Sequence, residues 1–295
     1  MIKPKEDHNY VAFFLTLACN LNCSYCINLH NGGSRYTQAK RQQFTYKEWI
    51  EAANRLELRD DLPLTLQGGE PTLLKGFDIF IREVKPEIKM DLLTNMMFDV
   101  EWFIKNIPIS RFDREANYAP IRVSYHPGQN KIEDLIYKTK KMEDAGFRIG
   151  LFGILHPDEE IRTHILHVQE QALKEGIDFR TKEFLGEYNG KLYGTFKYPQ
   201  SVASKTLREC KCRTTELLVD PNGYTYKCHS DLYAGRDPYA NILDKNFSAD
   251  MVDEFRDCFV YGDCNPCDVK VKTNRFQEYG HTSVEIKDIK GIDGI

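Results

Sequence analysis

Three cysteines, Cys19, Cys23 and Cys26, stand close together in the stretch LACNLNCSYCINL, and the next cysteine is Cys210. The remaining six, Cys210, Cys212, Cys228, Cys258, Cys264 and Cys267, crowd the last third of the chain. Nine is an odd number, and the long middle has none, so a disulfide framework fits poorly and metal or iron–sulfur ligation fits well. A closed structural zinc site takes four ligands, and four cysteines fully ligate a cubic four-iron cluster. Three thiolates leave one iron of such a cube without a protein ligand. That iron can chelate a small molecule that must receive an electron.

Positioning such a loop requires a scaffold, and the sequence describes one. VAFFLTLA (11–18) reads as a buried strand running straight into the cysteines. TYKEWIEAANRLEL (45–58) has Trp49, Ala52, Ala53 and Leu56 at helical spacing, with Thr45 as cap and Glu48 three residues on. Strands follow at 62–69, 89–95, 120–127, 148–157 and 177–186, separated by helices near 77, at 99–106, at 131–146 with Gly146 as its stop, and at 158–176. Alternation of this kind predicts a parallel sheet with helical crossovers, whose chemistry sits at the carboxyl ends of the strands. The first cysteines, Gly68–Gly69, Thr94–Asn95, Tyr125–His126, His156 and Glu183 all fall at or just past predicted strand ends.

The loop Cys19-x3-Cys23-x2-Cys26 after the first strand, with Tyr25 before its third cysteine, resembles the signature of the radical S-adenosylmethionine (radical SAM) superfamily. LQGGEP (66–71), ending the second strand, matches that family's GGEP motif. The resemblance implies an α/β fold, a partial (β/α)6 TIM-like barrel over residues 1–195. It implies a [4Fe–4S] cluster on Cys19, Cys23 and Cys26, with S-adenosylmethionine bound at Tyr25, Gly68, Gly69, Glu70, Thr94, Asn95 and Ser124. The glycines are expected to let the backbone approach the cofactor, and Glu70 to accept from its ammonium group. The implied chemistry is reductive cleavage to a 5′-deoxyadenosyl radical, which removes a hydrogen atom from substrate. A flavodoxin or ferredoxin is the expected reductant.

From about residue 196 the alternation stops. Asp220-Pro221-Asn222-Gly223 between TELLV and YTYKC predicts a β-hairpin that carries Cys210 or Cys212 toward Cys228. With Cys264-x2-Cys267, this region (196–295) resembles the SPASM and twitch extensions, and implies one auxiliary [4Fe–4S] cluster. Its ligands are expected to be one of Cys210 and Cys212, then Cys228, Cys264 and Cys267. Cys210 and Cys212 are read as alternating along a strand and facing opposite sides. Cys258 is left over: a buried thiol, a substitute ligand, or a hydrogen-atom donor to a substrate radical. A zinc knuckle remains the other reading of the whole group.

The substrate is less legible. Tyr125, His126, His156, Arg180, Lys182 and Glu183 are strand-end candidates to contact it, with Tyr125, His126, Arg180 and Cys258 put forward as catalytic. One expectation is oxidation of a small polar molecule, such as a sugar or cyclitol alcohol, with the auxiliary cluster as electron acceptor. A second is a redox-neutral epimerase or a peptide maturase with Cys258 as donor, and a third is a non-enzymatic metal-binding or electron-transfer protein. A net charge of -4 and a pI near 6.1 give no global basic field for nucleic acid. A mean hydropathy of -0.51 and the lack of a long apolar run predict no membrane span, and the charged N-terminus does not read as a signal peptide. A cytoplasmic location is the expectation.

Overall fold

The structure, a computed structural model, describes residues 1–27, 43–272 and 282–291. Six strands lie side by side in chain order, all parallel: β1 (Tyr10–Thr16), β2 (Leu64–Gly68), β3 (Met90–Thr94), β4 (Ile121–Ser124), β5 (Ile149–Leu155) and β6 (Phe179–Glu183). The crossovers carry α1 (Tyr46–Asn54), α2 (Phe77–Glu83), α3 (Val100–Asn106), α4 (Ile132–Asp144) and α5 (Glu159–Lys174). Parallel strands in sequential order with helical crossovers make an unclosed (β/α)6 barrel, as the sequence predicts.

Local chemistry explains the helix ends. Thr45 and Glu48 form the expected capping box at α1, Asp158 caps α5 by accepting from the amides of Glu160 and Ile161, and Gly146 closes α4 at φ +93°. β1 is buried on both faces. Its Phe13 stacks at 4.8 Å on Trp49 of α1, within the core between sheet and helices. Its Ala12 and Phe14 face the other way and pack with Tyr226, Leu232 and Tyr233.

That second contact shows how the C-terminal third is joined. β7 (Gly186–Tyr188) and β8 (Lys191–Tyr193) form a hairpin after β6. β9 (Arg208–Thr214) is the middle strand of an antiparallel sheet, between β12 (Arg256–Tyr261) and β13 (Val284–Lys287). Between them in sequence, β10 (Glu216–Val219) returns to the barrel and pairs parallel with β1, with β11 (Thr225–Tyr226) antiparallel beyond it. The predicted hairpin at 220–223 is therefore present, but it extends the barrel sheet to eight strands. The division expected at 195/196 is crossed by β10, whose four residues are all buried. Two short helices complete the region, α6 (His229–Ala234) and α7 (Pro266–Val269). Among the described residues no helix is long and apolar enough to cross a membrane.

One ion cluster stands inside the barrel layer. Asp91 of β3 is fully buried and receives Nε and Nη2 of Arg114 at 2.7 Å each and Arg122 at 3.0 Å. Arg114 is itself 7% exposed. Removing the carboxylate leaves a buried guanidinium with no counter-charge. Asp91→Ala is expected to cost about 3–5 kcal/mol, read as a lower urea midpoint at unchanged slope.

Candidate active site at the carboxyl ends of the barrel strands

The cysteine loop is anchored where β1 ends. The Gly69 amide donates to the Thr16 carbonyl at 2.8 Å, and the Glu70 amide to the Ala18 carbonyl at 2.8 Å. The two glycines are required by this contact. A Cβ on Gly68, whose φ is +143°, would lie 2.0 Å from the Thr16 carbonyl oxygen, and one on Gly69 would lie 2.1 Å from that of Ala18. Close approach was expected between GGEP and a cofactor; within the chain it is made to the strand that carries the cysteines.

Glu70 is 1% exposed, and its carboxylate is engaged by the protein itself. Oε1 accepts from the hydroxyls of Thr72 (2.7 Å) and Thr94 (2.8 Å) and from the Thr72 amide (3.2 Å), while Oε2 accepts from the Asn95 amide (2.7 Å). Burial pushes this carboxyl above its ordinary range, and those donors oppose the shift. Thr94 and Asn95 thus meet Glu70 directly, joining the ends of β2 and β3. Asn95 extends the chain of contacts: its Nδ2 donates to Asn20 Oδ1 at 2.7 Å and to Cys19 Sγ at 3.7 Å. The Leu21 amide also donates to Cys19 Sγ at 3.4 Å. Two N–H donors thus point at the sulfur of Cys19. Cys23 is buried, Cys19 and Cys26 are half-buried, and none is in a disulfide. The residues present fit a metal-bound cysteine loop.

The loop after β4 closes the other side. The Tyr25 hydroxyl meets His126 Nδ1 at 3.2 Å, and Gln129 Oε1 accepts from the Asn22 amide at 3.0 Å. Asn130 holds this loop, accepting from the His126 amide (2.8 Å) and donating to the carbonyls of Ser124 (3.0 Å) and Asn95 (3.4 Å). Gln129 and Asn130 were not anticipated; a short polar run straight after a predicted strand was the signal for them. Tyr25 also faces His156, which packs edge-on against Phe184 and Tyr188 at 4.8 Å each. Burial lowers His126 to about 4 and lowers His156, so both rings are neutral at pH 7.

Other candidates lie elsewhere. Tyr125 is 4% exposed and its hydroxyl meets His164 of α5 at 2.7 Å, so it points into the helix layer, opposite in the strand alternation to His126. Arg180 binds Asp178 and the Asn117 carbonyl, residues before the starts of β6 and β4, and so reaches to the amino-terminal rim. Glu183 accepts from Thr195 and fastens the chain after β8. Lys182 does face a ring, its ammonium 4.6 Å from the Phe152 centroid. Protein packed around it, then the Arg122 charge, lower its ammonium below the ordinary lysine range.

The second cysteine group divides. His229 and Ser230 donate their amides to the Asp268 carboxylate at 2.9 and 3.2 Å, and Ser230 Oγ donates to the Asp263 carbonyl at 3.3 Å. These bonds draw Cys228, at the start of α6, to the segment carrying Cys264 and Cys267. Cys210, Cys212 and Cys258 form another group, with their sulfurs all within 4.8 Å of one another. Cys210 and Cys212 do not face opposite sides: residues two apart on a strand share a face, and their sulfurs are 3.5 Å apart. Hydrogen bonds from Cys210, then Cys212, hold the Cys258 thiol well below its ordinary value.

No family model matches the chain. It is 24% identical over 192 residues to a GTP 3′,8-cyclase of Nautilia profundicola, over 62% of this chain and 58% of that protein. The match thus spans less than two thirds of the relative's length. Native anSMEcpe with bound AdoMet and the Kp18Cys peptide has the same fold, with a TM-score of 0.57 at 14% identity over 84% of this chain and 80% of the other. Its complex with AdoMet and the Cp18Cys peptide gives 0.53 at 14% identity, over 82% and 79%. These solved structures share the fold of this chain, and the cysteine loop at the end of β1 resembles the radical SAM signature.

Two outcomes follow from the clamp and the histidine. Gly69→Ala must part the end of β2 from Ala18; it is expected to lose iron loading at the first loop while keeping the far-ultraviolet spectrum. His126, held low in the fold, binds its proton more readily when unfolded. Stability should therefore fall as pH drops from about 6.5 toward 4, and His126→Gln should flatten that slope in urea titrations.

Proposed function

We propose that the chain is a radical SAM oxidoreductase that removes two hydrogens from a small polar molecule, a sugar- or cyclitol-like alcohol. The reading is carried by the Cys19–Cys23–Cys26 loop, fixed to the GGEP segment by Gly69, Glu70 and Asn95 at the carboxyl end of the sheet. In this reading those cysteines hold a [4Fe–4S] cluster with S-adenosylmethionine beside it, a flavodoxin or ferredoxin supplies electrons, and a second iron–sulfur centre is held at Cys228, Cys264 and Cys267. Cys19, Cys23 and Cys26 would hold a centre that supplies one-electron reduction for radical chemistry, and Cys228, Cys264 and Cys267 one that would serve as an electron acceptor.

The chain's own residues supply shelter and a proton acceptor. The rings of Tyr25, His126, His156, Phe184 and Tyr188 wall the space above the loop and keep water from a reactive species. Oxidising an alcohol to a carbonyl loses one hydrogen atom, one proton and one electron. Lys182, whose ammonium its surroundings shift toward losing its charge, takes the hydroxyl proton in this scheme. The Asn265 side chain donates to the Ile27 carbonyl at 3.5 Å, which supports an approach of the second cysteine group to the first loop. A peptide substrate is the second reading, favoured by the peptides bound to anSMEcpe.

Cys23→Ala in anaerobically reconstituted protein is expected to abolish 5′-deoxyadenosine formation; persistent cleavage would remove the first loop from the mechanism. With the true substrate, product should be two hydrogens lighter, with one cofactor consumed per turnover. The rate should rise with pH as Lys182 loses its proton, with a midpoint below that of an ordinary lysine. Lys182→Met should lose that limb and uncouple cofactor cleavage from oxidation, as a comparison of 5′-deoxyadenosine and product yields would show.

A further inference from the structure

We infer that Cys210, Cys212 and Cys258 form a binding site for a single thiophilic divalent ion of the zinc class, separate from the iron-binding loop at Cys19, Cys23 and Cys26. The site is built by strand geometry. Cys210 and Cys212 share one face of β9, and Cys258 of β12 is the register partner of Cys210 in the antiparallel ladder. All three are buried, at 1%, 4% and 5% exposure, in a cluster that also holds Val202, Cys228, Tyr261 and Val284, with Cys264 packed against it.

The spacing suits a single ion. Zinc–thiolate bonds of about 2.3 Å in a tetrahedron put sulfurs about 3.8 Å apart. The sulfurs of Cys210 and Cys212 are 3.5 Å apart, and all three lie within 4.8 Å. A four-iron cube carries each thiolate on a different iron at a different corner, which spreads the sulfurs further than a shared single ion does. One ion between β9 and β12 takes three corners of its tetrahedron from this trio, and the fourth comes from outside it. Binding replaces the thiol protons by the metal, releasing them to solvent, and no group changes oxidation state. The trio also accounts for Cys258, which the expected four-cysteine cluster leaves unused.

The test uses the full chain, reconstituted anaerobically with iron and sulfide and supplied with zinc, with both metals counted by elemental analysis. Wild type should hold one zinc beside its iron. Cys258→Ser should lose that zinc with iron unchanged, and Cys258→His, which keeps a ligating atom, should retain it. Cobalt(II) added to zinc-free wild type should give the intense bands of a tetrahedral thiolate complex, a readout independent of how any variant folds. Zinc absent from wild type, with no cobalt–thiolate band, would show packed thiols only. Zinc surviving in Cys258→Ser, or iron lost together with zinc, would equally overturn the site, the latter by assigning the trio to a cluster. Because zinc is counted separately, a failure to load iron at the first loop leaves this test standing.

Discussion

The buried carboxylate of Glu70 is the joint on which the site's geometry depends. An unpaired ionised carboxylate inside a protein costs many kcal/mol, so one that persists has its lone pairs filled. Here the filling donors come from Thr72, Thr94 and Asn95, at or just beyond the ends of two different strands. Satisfying one anion therefore fixes the relative height of β2 and β3. The amide of the same residue holds Ala18, and Asn95 holds Asn20, so the cysteine loop inherits its position from that joint.

The C-terminal region is tied in by the same means. β10 lies against β1, and Phe14 of β1 meets His229 and Tyr233 edge-on at 5.9 Å. Around them, Glu216 of β10 pairs with Lys272 at 2.6 Å and with Ser283 Oγ at 2.6 Å, and Asp268 pairs with His229 at 2.7 Å. Each buried charge spans segments distant in sequence. The second cysteine group is thus referenced to β1, the strand that carries the first.

Much of this was legible where local chemistry decides. The capping box at Thr45 and Glu48, the stop at Gly146, the strand alternation and the turn at Asp220–Gly223 each act within a few residues. The cysteine loop and GGEP were legible because both are contiguous. The return of β10 to β1 was not, since a parallel pairing between residues 10 and 216 leaves no mark in either segment beyond apolar character. Asn189-Gly190, both at positive φ, did carry a local signal for the β7–β8 hairpin that went unread. Arg180 and Tyr125 were misplaced for a different reason: being on a strand near its end does not say which face or rim a long side chain reaches. Cys210 and Cys212 followed from the period of two, applied with the wrong parity.

The electrostatics of the mouth bear on what it can receive. Burial keeps His126 and His156 neutral and raises the Tyr25 phenol, while Lys182 is shifted toward losing its charge. The nearby anions are occupied: Glu70 by the strand-end donors, and Asp158 by the first turn of α5 and the Tyr188 hydroxyl at 3.0 Å. Among the described residues, the mouth presents aromatic faces and neutral imidazoles beside the Lys182 ammonium. A ligand entering such a surface exchanges its water for ring faces and hydrogen-bonding groups, so each polar atom it buries needs a partner among them. A lysine whose ammonium is lowered by its surroundings gives up and takes back a proton more readily than a permanently charged group does.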